Sequence, residues 1–561
     1  MKPIIFIGDN PPYVISHPCD ALSKWSQLKF SEKPIDYSMI IIGTSSTNFL
    51  IAEIEDRNLE LSSVGDEGYV IKTVHHRGRE HIIVAGNTIR GTMYGIYGFL
   101  RELRMANIRD PFQKEWNIKS KPDFPIRAVY VNPFPAAIRN FTTDTWSIEQ
   151  WKEYIDGLCM AGANQIQIAI WQCRQGYHPE SNYTDPKYST LGLSSKMLWN
   201  IWREMIRYAH KMGMEAYVGF TYNEVDMKYY AEHADVKAFN PIYGEDRFGL
   251  LCWSKGKKEI INYMSFLIEY FREADGFVIW LLDPGDCFCK RCNENKTAII
   301  IDAVKTYGRI IRRHNPNAKI ALNLWPIWAI PLKYDRFDVD AILDGIPRDT
   351  IIIDKPDTSL DNVKRASSRG FRSMAFIFEF DPEGLIPWPK PQPDVVNRYV
   401  YMLPSLGADG MLIYRITALT QFMNDYYALR KLWNKDITFE EACIELASLL
   451  CDDAEARDKV SLGLKRLGEW SSWSSDIDSI DAARTLFSEA YEIEPKPKIG
   501  ILRDCTRLLY HIGMVKAGSD ADRQFEKFWN EMRQIDMFQP YIAEGKEKVR
   551  NEFINSWLSA F

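Results

Sequence analysis

Residues 276–325 read GFVIWLLDPGDCFCKRCNENKTAIIIDAVKTYGRIIRRHNPNAKIALNLW, and this stretch decides the fold. The apolar run at 276–282 predicts a buried strand, and the periodic apolar residues of 297–313 predict an amphipathic helix. A second apolar run, at 318–325, predicts the next strand. Strands that alternate with helices pair in parallel, because each helix returns the chain to the start of the following strand.

The same alternation begins at about residue 126 and holds to about residue 418. The other predicted strands are 127–132, 164–171, 214–220, 350–354, 373–379 and 410–415. The other predicted helices are 147–161, 195–212, 257–274 and 394–406. Eight parallel strands are the number that closes a (β/α)8 TIM barrel. An open doubly wound sheet is the alternative, but no Gly-x-Gly-x-x-Gly follows an early strand, so the sequence favours the α/β class with a closed barrel.

Different patterns flank the barrel. Before it, short predicted strands at 39–44, 69–74 and 80–86 precede a predicted helix at 88–103, which indicates a small α/β domain. One face of that helix is apolar and consists of Met93, Ile96, Tyr97 and Leu100. After the barrel, only helical periodicity remains. The predicted domains are 1–120 (N-terminal α/β domain), 121–418 (barrel) and 419–561 (helical C-terminal domain).

Composition narrows the function classes. The 561 residues carry a net charge of -6, with 46% hydrophobic and 26% charged residues, as in an ordinary globular protein. The chain has no long basic run, which argues against a nucleic-acid partner. It also lacks an apolar segment of the roughly 18 residues that a membrane helix needs. We therefore expect a cytoplasmic protein, or a secreted one if a signal peptide has been removed; a homo-oligomer is compatible with the sequence.

A closed barrel places its active site at the carboxyl ends of its strands. The predicted strand ends are rich in acids, amides and aromatic residues, a mixture that suits a sugar. Glycoside cleavage needs two carboxyl groups across the scissile bond, and Asp283 and Glu379 are the leading pair, with Glu224 and Asp354 as substitutes. The alternative is that such carboxylates cap the following helices. The predicted substrate-binding residues are Asn132, Trp171, Gln172, His178, Tyr222, Asn223, Asn323, Trp325, Asp381, Tyr414 and Arg415.

Three cysteines follow the fourth predicted barrel strand in the pattern C-x-C-x-x-C. Cys287, Cys289 and Cys292 could bind zinc with a fourth ligand from Cys252, His178 or elsewhere. Structural zinc sites more often contain two C-x-x-C pairs, and no second pair is present in the sequence. The sequence alone therefore favours packed, reduced thiols, and predicts neither a metal nor another cofactor.

Two segments carry a resemblance to known families. Residues 68–72 (GYVIK) and 81–100 (HIIVAGNTIRGTMYGIYGFL) resemble the small α/β domain that precedes the barrel in exo-glycosidases of glycoside hydrolase families 20 and 67. Residues 287–292 (CFCKRC) and 315–321 (NPNAKIA) are similar to a motif of family 163 β-N-acetylglucosaminidases and their uncharacterised relatives. The resemblance covers residues 60–420 in order and leaves the helical tail unassigned.

The resemblance implies a (β/α)8 barrel in which Asp283 stands where the related enzymes carry a carboxylate after strand 4. Family 20 enzymes have an adjacent Asp-Glu pair there, whereas this chain has Asp283-Pro284. An acidic sugar held by Arg415 or Arg174 is therefore an alternative to an N-acetylhexosamine.

Together, the barrel, the domain order and the strand-end residues predict an exo-acting glycoside hydrolase that cleaves oligosaccharides without a cofactor. Two other classes stay open at this point. The first is a non-catalytic carbohydrate-binding protein on a hydrolase scaffold, and the second is a barrel lyase or isomerase.

Overall fold

The computed structural model of the chain describes most of its length. The described residues are 3–31, 33–55, 59–133, 143–190, 192–241, 248–281, 287–324, 338–355, 361–377, 389–473, 476–543 and 545–557.

The N-terminal domain is a six-stranded sheet with helices on its faces. Its strands are β1 (Ile4–Phe6), β2 (Lys29–Ser31), β3 (Met39–Gly43), β4 (Tyr69–His76), β5 (Arg79–Gly86) and β6 (Asn117–Ser120). Their order in the sheet is β2-β1-β3-β5-β4-β6; β4 runs antiparallel to its two neighbours, and the remaining pairs are parallel. The three predicted strands are confirmed, and β1, β2 and β6 are additional. The helices are α1 (Tyr13–Ser26), α2 (Phe49–Glu55) and α3 (Ile89–Met105).

Helix α3 follows the sequence prediction closely. Thr88 precedes it, and the Thr88 hydroxyl accepts a hydrogen bond from the backbone N–H of Gly91, which satisfies one of the free donors at the helix start. The predicted apolar face is buried in full, with its four residues no more than 3% exposed. The helix thereby joins the sheet to the rest of the core.

Eight parallel strands close a barrel, as predicted. They are β7 (Ile126–Val131), β8 (Gln165–Ile170), β9 (Glu215–Thr221), β10 (Gly276–Trp280), β11 (Lys319–Asn323), β12 (Ile351–Asp354), β13 (Ser373–Ile377) and β14 (Gly410–Arg415). The barrel closes where β14 pairs with β7, with Tyr414 opposite Tyr130. Nearly every strand residue is buried, because the barrel interior covers one face of each strand and the helices cover the other.

Helices surround the barrel and follow its strands. They are α4 (Ile148–Ala161), α5 (Gln172–Gln175), α6 (Pro186–Thr190), α7 (Ser195–Lys211), α8 (Met227–Glu232), α9 (Trp253–Tyr270), α10 (Lys290–Glu294), α11 (Lys296–His314), α12 (Val339–Gly345), α13 (Asn362–Ser368), α14 (Pro393–Leu406) and α15 (Phe422–Trp433). The five predicted helices are confirmed, although α9 begins at Trp253 rather than at residue 257.

The chain beyond the barrel is helical wherever it is described. Its helices are α16 (Phe439–Leu450), α17 (Ala454–Trp473), α18 (Ile477–Ile493), α19 (Pro497–Lys516), α20 (Ala521–Met532), α21 (Gln539–Ala543) and α22 (Lys546–Glu552). Across the described ranges, we find no helix that combines the length and the apolar character needed to cross a membrane. The domain limits at residues 120 and 418 stay sequence-based predictions.

Candidate active site

Four aromatic rings fill the barrel interior near the carboxyl ends of the strands. They belong to Tyr130, Trp280, Phe376 and Tyr414, and we call this group the aromatic floor. Their ring centroids lie between 4.8 Å (Tyr130 to Trp280) and 6.0 Å (Tyr130 to Phe376) apart, in tilted, stacked and edge-to-face arrangements. Such contacts between aromatic rings add to the free energy of burial and fix the ring orientations.

A glycine makes room for the largest of these rings. A Cβ on Gly219 of strand β9 would lie 2.8 Å from Nε1 and 3.3 Å from Cδ1 of Trp280, closer than side-chain carbons normally approach. The indole of Trp280 therefore rests against the bare backbone of the neighbouring strand. This close approach sets the position of Trp280 within the aromatic floor.

A hydrogen-bonded polar layer lies next to the aromatic floor. The indole N–H of Trp171 donates to Oδ1 of Asn132 over 2.5 Å, and Nδ2 of Asn132 donates to the Tyr414 hydroxyl over 2.8 Å. Trp171 is half-buried and packs against the floor. Asn323 lies two residues beyond the interior residue Ala321, so the alternation of strand side chains places it on the same inner face. Four of the predicted binding residues are thus brought to one place.

Four of the predicted site residues lie outside the described residues. They are the two leading carboxylates and two predicted binding residues: Asp283, Glu379, Trp325 and Asp381.

Glu224, a substitute carboxylate, is fully buried beside the loop that follows β8. Its Oε1 accepts a hydrogen bond from the backbone N–H of Cys173 over 2.9 Å. Burial, followed by the charge of Glu224 and a hydrogen bond to it, holds the pKa of the Cys173 thiol well above its usual range. The thiol is therefore a protonated neighbour of Glu224 at neutral pH. Glu224 connects the loops that follow β8 and β9.

Asp354 and Arg415 lie at strand ends but turn away from the barrel axis. Ile352 packs on the helix-facing side of its strand, and Asp354, two residues later, shares that side. Asp354 accepts hydrogen bonds from the backbone N–H of Lys355 (2.7 Å) and from Nδ2 of Asn362 (2.6 Å) at the start of α13. It ties the end of β12 to the start of α13, which resembles the capping role weighed as the alternative for strand-end acids.

The guanidinium of Arg415 is engaged within the protein. It is fully buried and donates from Nε (2.9 Å) and from its terminal nitrogen (2.6 Å) to Oδ1 of Asp425 in α15. The other carboxylate oxygen of Asp425 accepts from the Tyr154 hydroxyl over 2.9 Å. Arg174, the second arginine considered for an acidic sugar, is partly exposed and lies 3.7 Å from Asp185.

The other predicted binding residues pack between the barrel and its loops. Gln172 donates to the carbonyl of Thr221, and Asn223 donates to the carbonyl of Leu251. Tyr222 is buried, and its carbonyl accepts a hydrogen bond from the Tyr307 hydroxyl.

His178 lies in an aromatic cluster of its own. Its ring stacks on Tyr263 at 5.3 Å and meets Tyr229 edge-on. Burial lowers the pKa of His178 and outweighs the opposing effect of Glu180, so the imidazole is neutral at pH 7.

Sequence reasoning missed three members of the aromatic floor. Tyr130 and Phe376 precede their strand ends, and Trp280 lies within a predicted strand, so a search of strand ends does not find them. Counting alternate positions back from Asn132 and Tyr414 would have placed Tyr130 and Leu412 on the inner face. For Tyr130, the alternation of its own strand therefore held the information.

All ten cysteines are free of disulfide bonds. Four of them meet beside the candidate site: Cys252, Cys287, Cys289 and Cys292. Hydrogen bonds from Cys252 and Cys287 hold the pKa of the Cys292 thiol far below its usual range, whereas hydrogen bonds to Cys252 and Cys292 raise that of Cys287. These residues have the donor chemistry of a soft divalent metal site.

Part of the N-terminal region matches a known family model. Residues 23–99 match the model of the glycosyl hydrolase family 67 N-terminus. A search of curated protein sequences finds no match to the chain.

Solved structures resemble this chain over most of its length at low sequence identity. The chain is similar to a GH138 enzyme targeting pectin rhamnogalacturonan II, with a TM-score of 0.60, 12% identity and coverage of 95% of this chain and 91% of that one. It is similar to the GH20 β-N-acetylhexosaminidase from Streptomyces coelicolor A3(2), with a TM-score of 0.52, 13% identity and coverage of 82% and 92%. It is also similar to CpGH84B, with a TM-score of 0.51, 12% identity and coverage of 97% and 93%.

These findings confirm the predicted likeness to glycoside hydrolases that join a small N-terminal domain to a TIM barrel. The narrower likeness to family 163 stays a prediction.

Proposed function

We propose that the protein is an exo-acting glycoside hydrolase that removes a terminal sugar from an oligosaccharide. The observation that carries this proposal is the aromatic floor with its polar layer, at the end of a closed barrel where such enzymes bind substrate. The family 67 match in the N-terminal region adds support, because it is independent of the barrel.

The described residues suit sugar binding. Aromatic faces can pack against the apolar C–H face of a pyranose, while the Asn132 amide, held in place by the Trp171 indole and the Tyr414 hydroxyl, offers a polar group that orients its hydroxyls. A pocket that combines apolar rings with a few fixed polar groups is the usual form of a small-molecule site.

The reaction needs two carboxyl groups, and we assign them to Asp283 and Glu379. One protonates the leaving glycosidic oxygen as a general acid; the other attacks the anomeric carbon or removes a proton from the attacking water. The net reaction consumes one water and yields a free sugar and a shortened chain. No cofactor enters this scheme.

We propose an N-acetylhexosamine as the first substrate class to test, with a uronic or sialic acid as the alternative. The internal ion pair of Arg415 with Asp425 disfavours Arg415 as the partner of a sugar carboxylate, so Arg174 is the better candidate for that role. The GH20 hexosaminidase among the similar structures supports the same order.

The test is a screen of the purified chain against aryl glycosides. The panel contains N-acetyl-β-glucosaminide, N-acetylgalactosaminides, α- and β-glucuronides, a sialoside and neutral hexosides. We expect turnover of one aryl sugar, and a loss of about a hundredfold or more in Asp283→Asn and Glu379→Gln. Asp36→Asn and Glu153→Gln are matched controls at exposed carboxylates.

Other outcomes would contradict parts of the proposal. Wild-type rates in both variants would show that the carboxylates are wrongly assigned. Sugar binding by calorimetry without turnover would instead support a carbohydrate-binding protein. A product with a new double bond, or an isomerised sugar, would indicate a lyase or an isomerase.

A further inference from the structure

Four cysteines from two separate loops converge beside the barrel. Cys252 follows the loop after β9 and immediately precedes α9. Cys287 and Cys289 follow β10 and precede α10, and Cys292 lies within α10. All four sulfur atoms lie within 4.8 Å of one another. The Sγ of Cys252 lies 3.5 Å from that of Cys292 and 3.8 Å from that of Cys289.

These separations match the edges of a metal–thiolate tetrahedron. With a zinc–sulfur bond of about 2.3 Å, tetrahedral geometry places neighbouring sulfurs about 3.8 Å apart. A disulfide would need about 2.05 Å. The widest sulfur pair has to contract by about 1 Å at most to complete the tetrahedron.

The surroundings of the thiols suit a negatively charged centre. Zn²⁺ with four thiolates carries a net charge of two minus, and a buried charge requires a nearby opposite charge or hydrogen bonds. Lys296 is only 2% exposed, and its ammonium donates to the carbonyl of Cys287 over 3.0 Å. The hydroxyl of Ser254 lies 3.1 Å from the sulfur of Cys292, where it can donate to a metal-bound thiolate.

We propose that Cys252, Cys287, Cys289 and Cys292 bind one structural Zn²⁺ through four thiolates. On binding, each thiol that ligates loses its proton to solvent, and four zinc–sulfur bonds replace the contacts among the thiols. All four coordination positions are taken by protein, which makes the site structural rather than catalytic. The site lies outside the proposed hydrolase mechanism, and its assignment does not depend on that function.

The metal would fasten together the two loops that follow β9 and β10. The backbone N–H of Leu251 bonds to the carbonyl of Asn223, and Glu224 forms a bridge with Leu250, so the chain before Cys252 is tied to the end of β9. On the other side, the N–H of Phe288 bonds to the carbonyl of Phe239 over 2.7 Å. In the sequence, Asp283 stands four residues before Cys287. Zinc would thus anchor the segment that carries the proposed catalytic acid.

The test measures metal content in the full chain, purified under reducing conditions without a chelator from cells supplied with zinc. Elemental analysis should find about one zinc per chain. Cys289→Ser, at the most exposed of the four ligands, and Cys252→Ser should each lose that zinc. Cys505→Ser and Cys443→Ser, at buried cysteines in α19 and α16, are matched controls and should retain it.

A second measurement covers the case in which the ligand variants fail to fold. After removal of zinc from the wild-type chain, Co²⁺ should produce the sulfur-to-metal charge-transfer absorption and the visible bands of tetrahedral thiolate coordination. A metal-free wild-type chain that does not take up Co²⁺ would overturn the proposal. Zinc retained in both ligand variants, iron in its place, or a mapped disulfide among the four cysteines would overturn it as well.

Discussion

The two ends of the barrel differ in the kinds of side chain that they bring together. At the amino ends of the strands, charged side chains pair with one another. Glu67 from the N-terminal domain accepts hydrogen bonds from Arg90 (2.7 Å) and from Arg127 (2.6 Å). Lys319 pairs with Glu215. A cavity of about 840 Å³, lined in part by these groups, lies at this end. At the carboxyl ends, aromatic rings and amides occupy the interior.

This difference suggests that the amino end holds the domains together, whereas the carboxyl end binds the ligand. Charges at the amino end are largely satisfied within the protein and hold the N-terminal domain against the barrel. Although burial alone would raise the pKa of Glu67, Arg127 and Arg90 hold it below its usual range, so the carboxylate is charged at neutral pH. At the carboxyl end, the four rings of the aromatic floor are at most 7% exposed, and we propose that the sugar binds above them. Changes at the two ends should therefore affect different measurements.

The largest effect on stability should come from the amino end. Glu67→Gln removes the carboxylate that faces Arg127, whose side chain is 0% exposed, and leaves a buried positive charge without its partner. We expect the free energy of unfolding to fall by about 3–5 kcal/mol, measured by urea denaturation. Glu60→Gln removes an exposed pair with Lys119 and should leave the free energy of unfolding close to that of the wild-type chain. Equal shifts in the two variants would refute the contrast.

A second buried carboxylate, that of Glu445 in α16, pairs with Arg101 of α3 where that helix contacts the helical region. Burial would raise the pKa of Glu445, but Arg101 and Arg430 lower it to about 2. The unfolded chain has the higher value, near 4.5, so this stabilisation is complete above about pH 4.5 and is lost as the pH falls towards about 2. The difference corresponds to about 3 kcal/mol.

Unfolding measured between about pH 6 and pH 2.5 should therefore show a steep loss of stability, which becomes shallower in Glu445→Gln. Glu440→Gln, at an exposed position of the same helix, serves as the control and should leave the slope unchanged. An unchanged slope in Glu445→Gln would assign the acid sensitivity to other carboxylates.

The smallest effect on stability, with a clear effect on activity, should come from the carboxyl end. Gly219→Ala places a methyl group against the Trp280 indole and should cost about 1–3 kcal/mol while displacing that ring from the aromatic floor. We expect kcat/KM for the aryl glycoside to fall by about tenfold, equivalent to about 1.4 kcal/mol. Gly157→Ala, in α4 with open space around it, should stabilise the chain by up to about 1 kcal/mol and leave activity unchanged. Similar kinetics in the two variants would contradict a role for Trp280.

The barrel strands could be predicted because buried parallel strands are continuous apolar runs, as in GFVIW of β10. Two of the three strands that were missed lack this signal, and the third, β1 (IIF), is apolar but only three residues long. Strand β2 (KFS) and strand β6 (NIKS) are short, polar and partly exposed, and they gain their place by pairing with β1 and β4. Pairing with a distant partner is not encoded in a local pattern.

The candidate site could be predicted only in part. Their position at strand ends identified Asn132, Trp171 and Tyr414. Such a position does not tell whether a side chain faces the barrel interior or the surrounding helices. Alternation from Ile352 and Ile413 places Asp354 and Arg415 on the outer face, so their own strands held the missing information. The sequence could not single out Cys252 as the fourth thiol of the cluster. Cys252 lies 35 residues before Cys287 (287 − 252), and a local pattern does not show that the two segments meet.

The pairing of β7 with β14 has a consequence for synthesis on the ribosome. Strand β7 ends at Val131, but its second neighbour is complete only at Arg415. At roughly 5–20 residues per second, one edge of β7 stays open for roughly 15–60 seconds while the intervening chain is made. An open apolar edge invites intermolecular pairing. The nascent chain therefore passes through an aggregation-prone interval before the barrel can close.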